Sequence, residues 1–548
     1  MSASSLETFD YIIVGGGSAG SVLAERLTQD GKSSVCVLES GPSDWHPFVR
    51  IPAGYIKILF DKHMTWGFPS APNDMTAGRS ILLPQGRMLG GSSSINGMVY
   101  NRGQSGDFDR WASLGNPGWS YAEVLPYFRR SEYRIGAADP RYRGLDGSLP
   151  VTDLPGGHPL CEIFADGAEQ LGLPRNSDYN GPEQFGTGYS QRVIKRGLRV
   201  NAARAFLRPA MKRSNLEVRT HAHVTRIVLE NGRATGVEYL KGAAGGTTVK
   251  LRANREVILC AGAVNSPRIM QLSGIGSPEV LGAAGVAVTH ALPGVGENFR
   301  DHFAARLVAR VKNIATLNAR SRGWRLGAEI LKWMVGMPSI ISVTPAMFYV
   351  FGKSDPSLPS PDIQCSFTPA SYKEGYLGVL DDFPGVTCGP YQQRPESQGH
   401  VRIQSPDPFA LPIVDPKYLD HELDRKVLVA GIKLGRSLLS SPAMQPYLDG
   451  EILPGKQCQS DDELLDFART KGSTAYHLVG SCKMGPATDK MAVVDNELRV
   501  HGISGLRVAD SSIMPTMPSA NTYAATLMIA ERAADLIRGI GGAANASA

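Results

Sequence analysis

Apolar and polar positions along the chain follow two rhythms. "FDYIIVGGGSAGSVLAERLTQD" opens with a short continuous apolar run, breaks at three glycines and resumes at helical spacing. That order predicts a strand, a turn and a helix. "SSVCVLESG" predicts a second strand, and "NLEVRTHAHVTRIVLENGRATGVEYL" alternates on both sides of Asn231–Gly232, a dipeptide suited to a tight hairpin. "REVILCAGAVNSPRIMQLSGIG" again predicts strand, turn and helix. "ELDRKVLVAGIKLGRSLLSS" and "TYAATLMIAERAADLIRGI" carry helical spacing. Glycine turns thus recur near the start, the middle and the end. This pattern predicts an α/β chain whose nucleotide-binding domain is discontinuous, with a second domain inserted.

One apolar stretch stands apart from both rhythms. "WMVGMPSIISVTPAMFYVF", 333–351, has no charged residue and approaches the ~20 residues that span a bilayer. Pro338 and Pro345 interrupt it, so the expected role is a buried wall of the substrate domain, not a span. Contact with a membrane surface or an apolar substrate is the second reading of this segment.

Composition changes this picture little. The chain has 548 residues, enough for a large core, with 42% hydrophobic and 20% charged positions. A net charge of +6 is too small and diffuse to predict a nucleic-acid partner. The densest basic run, 192–213, reads as a solvated surface. Seven cysteines are scattered without CxxC spacing. They predict free thiols in a reducing compartment, hence a cytoplasmic protein with optional peripheral membrane contact. The N-terminal apolar run ends in glycines and lacks a basic leader, so it reads as a strand and not as a signal peptide. The glycine-rich tail 541–548 reads as disordered.

Gly15, Gly17 and Gly20 form G-x-G-x-x-G directly after "YIIV". The first glycine allows the turn, the second admits a pyrophosphate close to the backbone, and the third lets helix and strand pack. Ser18 and Ala19 open the helix whose free N–H groups would face the phosphates. Glu39 ends the next strand, where an acid can accept from ribose hydroxyls. This much is compatible with NAD and with FAD alike.

A second glycine cluster, "GRMLGGSSSINGMVYNRGQSGDFD", spans 86–109. Arg87, Gly90, Gly91, Ser92, Asn96 and Gly97 lie in it, and such small residues let backbone lie against a flat, rigid group. Here the chain resembles the glucose–methanol–choline (GMC) flavoprotein oxidoreductases, in their choline- and sorbose-dehydrogenase-like branch. Three further stretches carry the resemblance: "GAVNSPRIMQLSGIG", "LPGVGENFRDH" and "GLRVADSSIMPTMPSANTYAATLMIAERAAD". The resemblance implies a Rossmann-like FAD-binding domain at 1–155, 215–315 and 470–540. It also implies an inserted α+β substrate-binding domain with an antiparallel sheet at 156–214 and 316–469. Val224 would hold the adenine by its backbone, and Trp66, the Gly90–Gly97 loop and Asp510 would lie near the flavin. Some members tether FAD through a histidine where this chain has Ile95, so non-covalent FAD is expected.

"TAYHLVGSCKMG", 474–485, places His477 five residues before Cys482. A metal site would need further ligands, and none has suitable spacing. A buried core histidine is the bland alternative. The resemblance puts His477 at the position of the catalytic base and Asn521 at that of its partner. A base takes the hydroxyl proton while a hydride leaves carbon, and an amide donor stabilises the developing alkoxide. Asn521 would equally serve as a helix N-cap.

The chain departs from relatives at Tyr523, where many have Asn, and at Gln398, where many have Arg. The expected activity is FAD-dependent oxidation of a primary alcohol to the aldehyde, with electrons passed to a quinone-type or other acceptor. The alternatives are an oxidase that reduces O₂ to H₂O₂, or a non-redox or light-driven flavoenzyme. The substrate and the oligomeric state are not legible.

Overall fold

A computed structural model describes residues 6–242, 245–373 and 378–540. The tail 541–548 lies outside the described residues. The first strand, Thr8–Val14, is buried over its last four residues and sits between two parallel partners, Val35–Leu38 and Thr247–Leu259. A strand covered on both faces is uniformly apolar, which explains "YIIV" and "VCVL". Leu216–Arg219 extends the parallel side beyond Val35–Leu38. On the other side the long strand Thr247–Leu259 changes partner along its length. Its first half pairs antiparallel with Arg233–Lys241, and its last residues pair parallel with Leu506–Val508. Chain from the start, middle and end therefore closes one seven-stranded sheet.

The second sheet has eight strands. Its central path runs Leu448–Leu453, Leu307–Val311, Gly385–Gln392, Ile363–Thr368, Phe348–Gly352 and Gly186–Tyr189. All neighbours on this path are antiparallel. Helices Pro159–Gln170 and Glu422–Leu439 supply Leu160, Phe164, Leu428 and Ile432 to its core. Two segments fall differently from the sequence boundaries. Leu307–Val311, read with the nucleotide unit, joins the antiparallel sheet because Leu307, Ala309 and Val311 are buried in its core. Ala202–Leu207, read with the substrate unit, is buried in the core shared with helix Ser18–Thr28.

The basic run 192–213 is not a solvated face. Arg192 is buried and donates to Ser342 O, and Arg208 and Arg213 pair with Asp44 and Glu25. Its guanidiniums tie segments together.

The apolar stretch 333–351 divides in two. Phe348–Gly352 is buried throughout, as a wall should be. Its beginning is not, because the preceding helix Gly323–Met334 faces outward with its apolar stripe. Trp324, Leu331 and Met334 are 80%, 62% and 70% exposed, whereas Glu329 is buried and paired with Arg320 and Lys332. No described helix is long and apolar enough to cross a membrane.

Candidate active site

A cavity of about 1060 Å³ is lined from both sheets. Glu39, Val224, Val14 and Leu38 line it, as do His477, Asn521, Tyr349 and Tyr391. Gly15, Gly17, Ser18, Ala19, Gly91, Ser92, Asn96, Gly97 and Asp510 also line it.

The two glycine clusters meet. A Cβ on Gly91, whose φ is +52°, would stand 2.8 Å from Gly17 Cα. Gly90 N donates to Gly16 O at 2.8 Å. Both positions need glycine, for space and for backbone angle together. Helix Ser18–Thr28 begins at Gly17 with no side-chain cap. Its first-turn N–H groups are thus left for another acceptor at the cavity. Glu39 accepts from Gly16 N and Gly41 N, both at 2.9 Å. Burial pushes its carboxyl pKa upward, and the two backbone donors oppose that.

Three residues expected at the site do not line the cavity. Gly20 packs under the turn, where a Cβ would meet Gly15 O at 2.0 Å. Gly90 supports the loop from behind. Arg87 lies over the Trp66 ring at 4.5 Å. Trp66 itself touches His223 and Arg268, the surroundings of Val224. Gln398 is exposed and lines no part of the cavity. Tyr523 does line it, with its hydroxyl buried and without a hydrogen-bond partner.

Asp510 accepts from Gly262 N, Ser266 Oγ and Ser512 N at 2.6–2.8 Å, so it pins three segments at the cavity wall. Arg199 was not singled out from the sequence. It is fully buried, donates to Ser93 O and Asn96 Oδ1, and thereby fixes the second glycine loop. Burial lowers its pKa to about 9.

His477 is part of a polar chain. His302 Nε2 lies 2.7 Å from Gln393 O, and a carbonyl can only accept. Nε2 therefore carries the proton, and neutral His302 presents Nδ1 as an acceptor. His477 Nδ1, 2.8 Å away, must donate to it. That leaves His477 Nε2 unprotonated, facing Asn521 Nδ2 at 2.9 Å. Burial lowers the pKa of His302 to about 4, and burial with His302 nearby holds His477 well below the usual imidazole value. Both rings are neutral at pH 7.

Asn521 occupies the N-cap position of helix Thr522–Arg538, yet its side chain makes no cap hydrogen bond. It turns instead to His477, and its Oδ1 is buried without a partner. The backbone of His477 is held by Asp301, whose carboxylate accepts His477 N at 2.7 Å together with Tyr418 and Thr474 hydroxyls. Burial raises the Asp301 pKa to about 6. The preceding residue, Tyr476, sits at φ +67°. A bulky residue there stores strain, which the hydrogen bonds around it offset. Sequence reading missed His302 and Asp301, although both stand in "LPGVGENFRDH"; only the fold brings that stretch to His477.

No described group of His, Cys, Asp and Glu could hold a metal ion, and Cys482 is a buried free thiol.

The sequence model of the GMC oxidoreductase family matches residues 9–304 and 395–530. The oxygen-dependent choline dehydrogenase of Klebsiella pneumoniae subsp. pneumoniae is 42% identical over 97% of this chain and 96% of that one. The protein of that name from Staphylococcus saprophyticus is 39% identical over 97% and 95%. The solved structure of pyridoxine 4-oxidase from Mesorbium loti superposes with a TM-score of 0.85 at 30% identity, covering 96% of this chain and 98% of that one. The chain belongs to the GMC oxidoreductase family and is an FAD-dependent oxidoreductase acting on the CH–OH group of alcohols.

Proposed function

We propose that His477 is the base and Asn521 the alkoxide donor in oxidation of a primary alcohol to its aldehyde. The single observation that carries this is the tautomer chain from Gln393 O through His302 to His477. It leaves one unprotonated imidazole nitrogen beside an amide donor in the cavity. An alcohol hydroxyl entering there donates to His477 Nε2 and accepts from Asn521 Nδ2. As the C–H bond breaks, His477 takes the proton and Asn521 stabilises charge on oxygen. A positioned base contributes roughly 10²–10⁴ in rate.

The cavity fits FAD on its own features. The uncapped helix at Gly17 and the Gly17–Gly91 approach suit a pyrophosphate, and Glu39 with the Val224 backbone suit an adenosine. Ser92, Asn96, Gly97 and Asp510 would border the flavin. Bound FAD supplies the hydride acceptor. Ile95 offers no nucleophile for the histidine-type link, so the cofactor is held non-covalently and should stay in solution when the denatured protein is precipitated; flavin that stays with the precipitate overturns this.

The anaerobic test is direct. His477→Ala should retain the yellow cofactor and lose its bleaching by alcohol. Normal bleaching in that variant removes His477 from the reaction. Electrons then pass to a quinone-type or other acceptor. The names of the two curated relatives favour O₂ as a second reading. Fast reoxidation in air with release of H₂O₂ would establish it.

We also propose that the outward stripe of helix Gly323–Met334 touches an anionic membrane surface. Trp324, Leu331 and Met334 would enter the lipid interface while the exposed Arg325 meets headgroups. Co-sedimentation with phosphatidylglycerol vesicles that Leu331→Glu abolishes supports this contact. Equal recovery of both proteins in the supernatant excludes it.

A further inference from the structure

The alcohol end of the cavity carries a cation that the proposed reaction does not use. Arg306 lines the cavity with Tyr55, Tyr372, Tyr391 and Tyr476. Its side chain stands beside Gly389 of the central strand, where a Cβ would lie 3.9 Å from Arg306 Cγ, an ordinary contact. The two other guanidiniums among the described residues of the cavity wall are engaged. Arg79 donates to Arg469 O and Gly472 O, and Arg268 to Pro408 O and Ala410 O. Arg306 differs: among the described residues it has no carboxylate within ion-pair distance and no hydrogen bond to a backbone carbonyl. The only described carboxylates on the cavity wall are Glu39 and Asp510, and both are committed to backbone donors.

Arg306 lies two residues past Ala304, which pairs with Ser473 and with Tyr391. Tyr476, next to His477, is strained at φ +67°, and its hydroxyl is buried without a hydrogen-bond partner of good geometry. Burial raises the Tyr476 pKa, and the Arg306 guanidinium draws it back, so the two side chains sense each other. A partly buried guanidinium without a counter-charge is costly to leave unpaired. Its planar fork matches a carboxylate's two oxygens.

We propose that Arg306 binds a carboxylate on the substrate, so that the preferred alcohol is an anionic one, a hydroxymethyl acid with an aromatic or similarly flat body. The tyrosines supply flat apolar walls for that body, Arg306 takes the acid at one end, and His477 with Asn521 takes the hydroxyl at the other. The acid group is a handle only. The bonds broken remain the O–H and the C–H of the alcohol. A cationic alcohol would meet Arg306 with no described acid to screen it. This inference rests on the alcohol-oxidising reading and sharpens its substrate.

The experiment uses the FAD-loaded enzyme with three alcohols: 4-(hydroxymethyl)benzoate, benzyl alcohol and choline. Flavin bleaching is followed anaerobically, and kcat and KM with one dye. The wild-type protein should prefer the benzoate by kcat/KM over benzyl alcohol by at least about tenfold. Arg306→Met should raise KM for the benzoate by roughly tenfold to a hundredfold and leave benzyl alcohol within about twofold. Arg306→Lys should restore part of the loss, because charge remains while the fork is lost. Terephthalate, which carries the acid and no alcohol, should inhibit wild type competitively and Arg306→Met weakly. Retained benzyl alcohol turnover in Arg306→Met certifies its fold. Equal use of all three alcohols, or preference for choline, overturns the inference and leaves alcohol oxidation intact. Absence of bleaching by every alcohol overturns both.

Discussion

His302 and His477 meet nitrogen to nitrogen, Nδ1 to Nδ1, at 2.8 Å, with their rings nearly perpendicular at 88°. One of the two nitrogens must carry the shared proton. Gln393 decides which, because its carbonyl claims the other nitrogen of His302. A backbone oxygen 84 positions upstream of His477 thus sets the protonation of the base.

Replacing His302 should therefore act through His477. In His302→Ala, His477 is free to exchange tautomers, and kcat/KM should fall roughly tenfold or more. The pH profile carries the decisive reading. His302 now contributes to the low pKa of His477, so its removal should shift the acidic limb of kcat/KM to higher pH. An unshifted limb with a lowered plateau would assign His302 to packing alone.

Asn521→Ala should separate the two roles open to this residue. Loss of an oxyanion donor costs about 3–4 kcal/mol in rate terms. Because the side chain does not cap its helix, the stability cost should stay under about 1 kcal/mol. Stopped-flow bleaching and a thermal melt measure the two quantities. A large drop in Tm with normal bleaching would make Asn521 structural.

The two abutting glycines should respond differently to alanine. In Gly17→Ala the added methyl meets Gly91 Cα at 3.7 Å, an ordinary contact. The fold should survive while FAD affinity drops. In Gly91→Ala the methyl is 2.8 Å from Gly17 Cα at φ +52°, so the protein should be destabilised as well. Flavin content and the melting temperature of each variant check this.

Acid should loosen the fold below pH 6.5. Burial holds His158, His223 and His302 at about 4, against an unfolded value near 6.5. Between those values the unfolded chain binds more protons than the native one, so stability falls as pH falls. The stability these histidines contribute is complete above pH 6.5 and is lost progressively toward pH 4. Asp301, raised to about 6, acts in the opposite direction with the buried Glu39 and Asp107 carboxyls, and these only partly offset the buried imidazoles, which His477 and His400 join. Tm measured from pH 7.5 to 4.5 should decline. A flat profile would contradict the neutral buried histidines.

How much was legible beforehand follows from how local each signal is. Strand Thr8–Val14, the Gly15–Gly17 turn and helix Ser18–Thr28 lie within one short window, and their pattern was plain. The long strand Thr247–Leu259 was only half legible, because its change of partner depends on Leu506–Val508. His477 and Asn521 were reached by resemblance; periodicity alone leaves them a core histidine and a cap. His302 stands 175 residues before His477, and no window joins them. The basic run misled because charge was read without burial: Arg192, Arg199 and Arg208 face carbonyls and acids, not water. Helix Gly323–Met334 misled in the opposite sense, since spacing shows that a face is apolar and not which way it points.

Both histidines belong to one short ladder. Phe303 pairs with Thr474 and Ala304 with Ser473, Ala475 N donates to His302 O, and Asp301 holds His477 N. Arg306 follows two residues after Ala304, in the link to strand Leu307–Val311. The base, the ring that sets its proton and the cation proposed to hold the substrate's acid are therefore parts of one rigid jig. If the antiparallel sheet shifts when a substrate enters, all three travel together, and the distance from handle to hydroxyl stays constant. Substrate length would then be gauged like a part held in a fixture, with alcohols too short or too long for the span reaching Arg306 or His477 but not both.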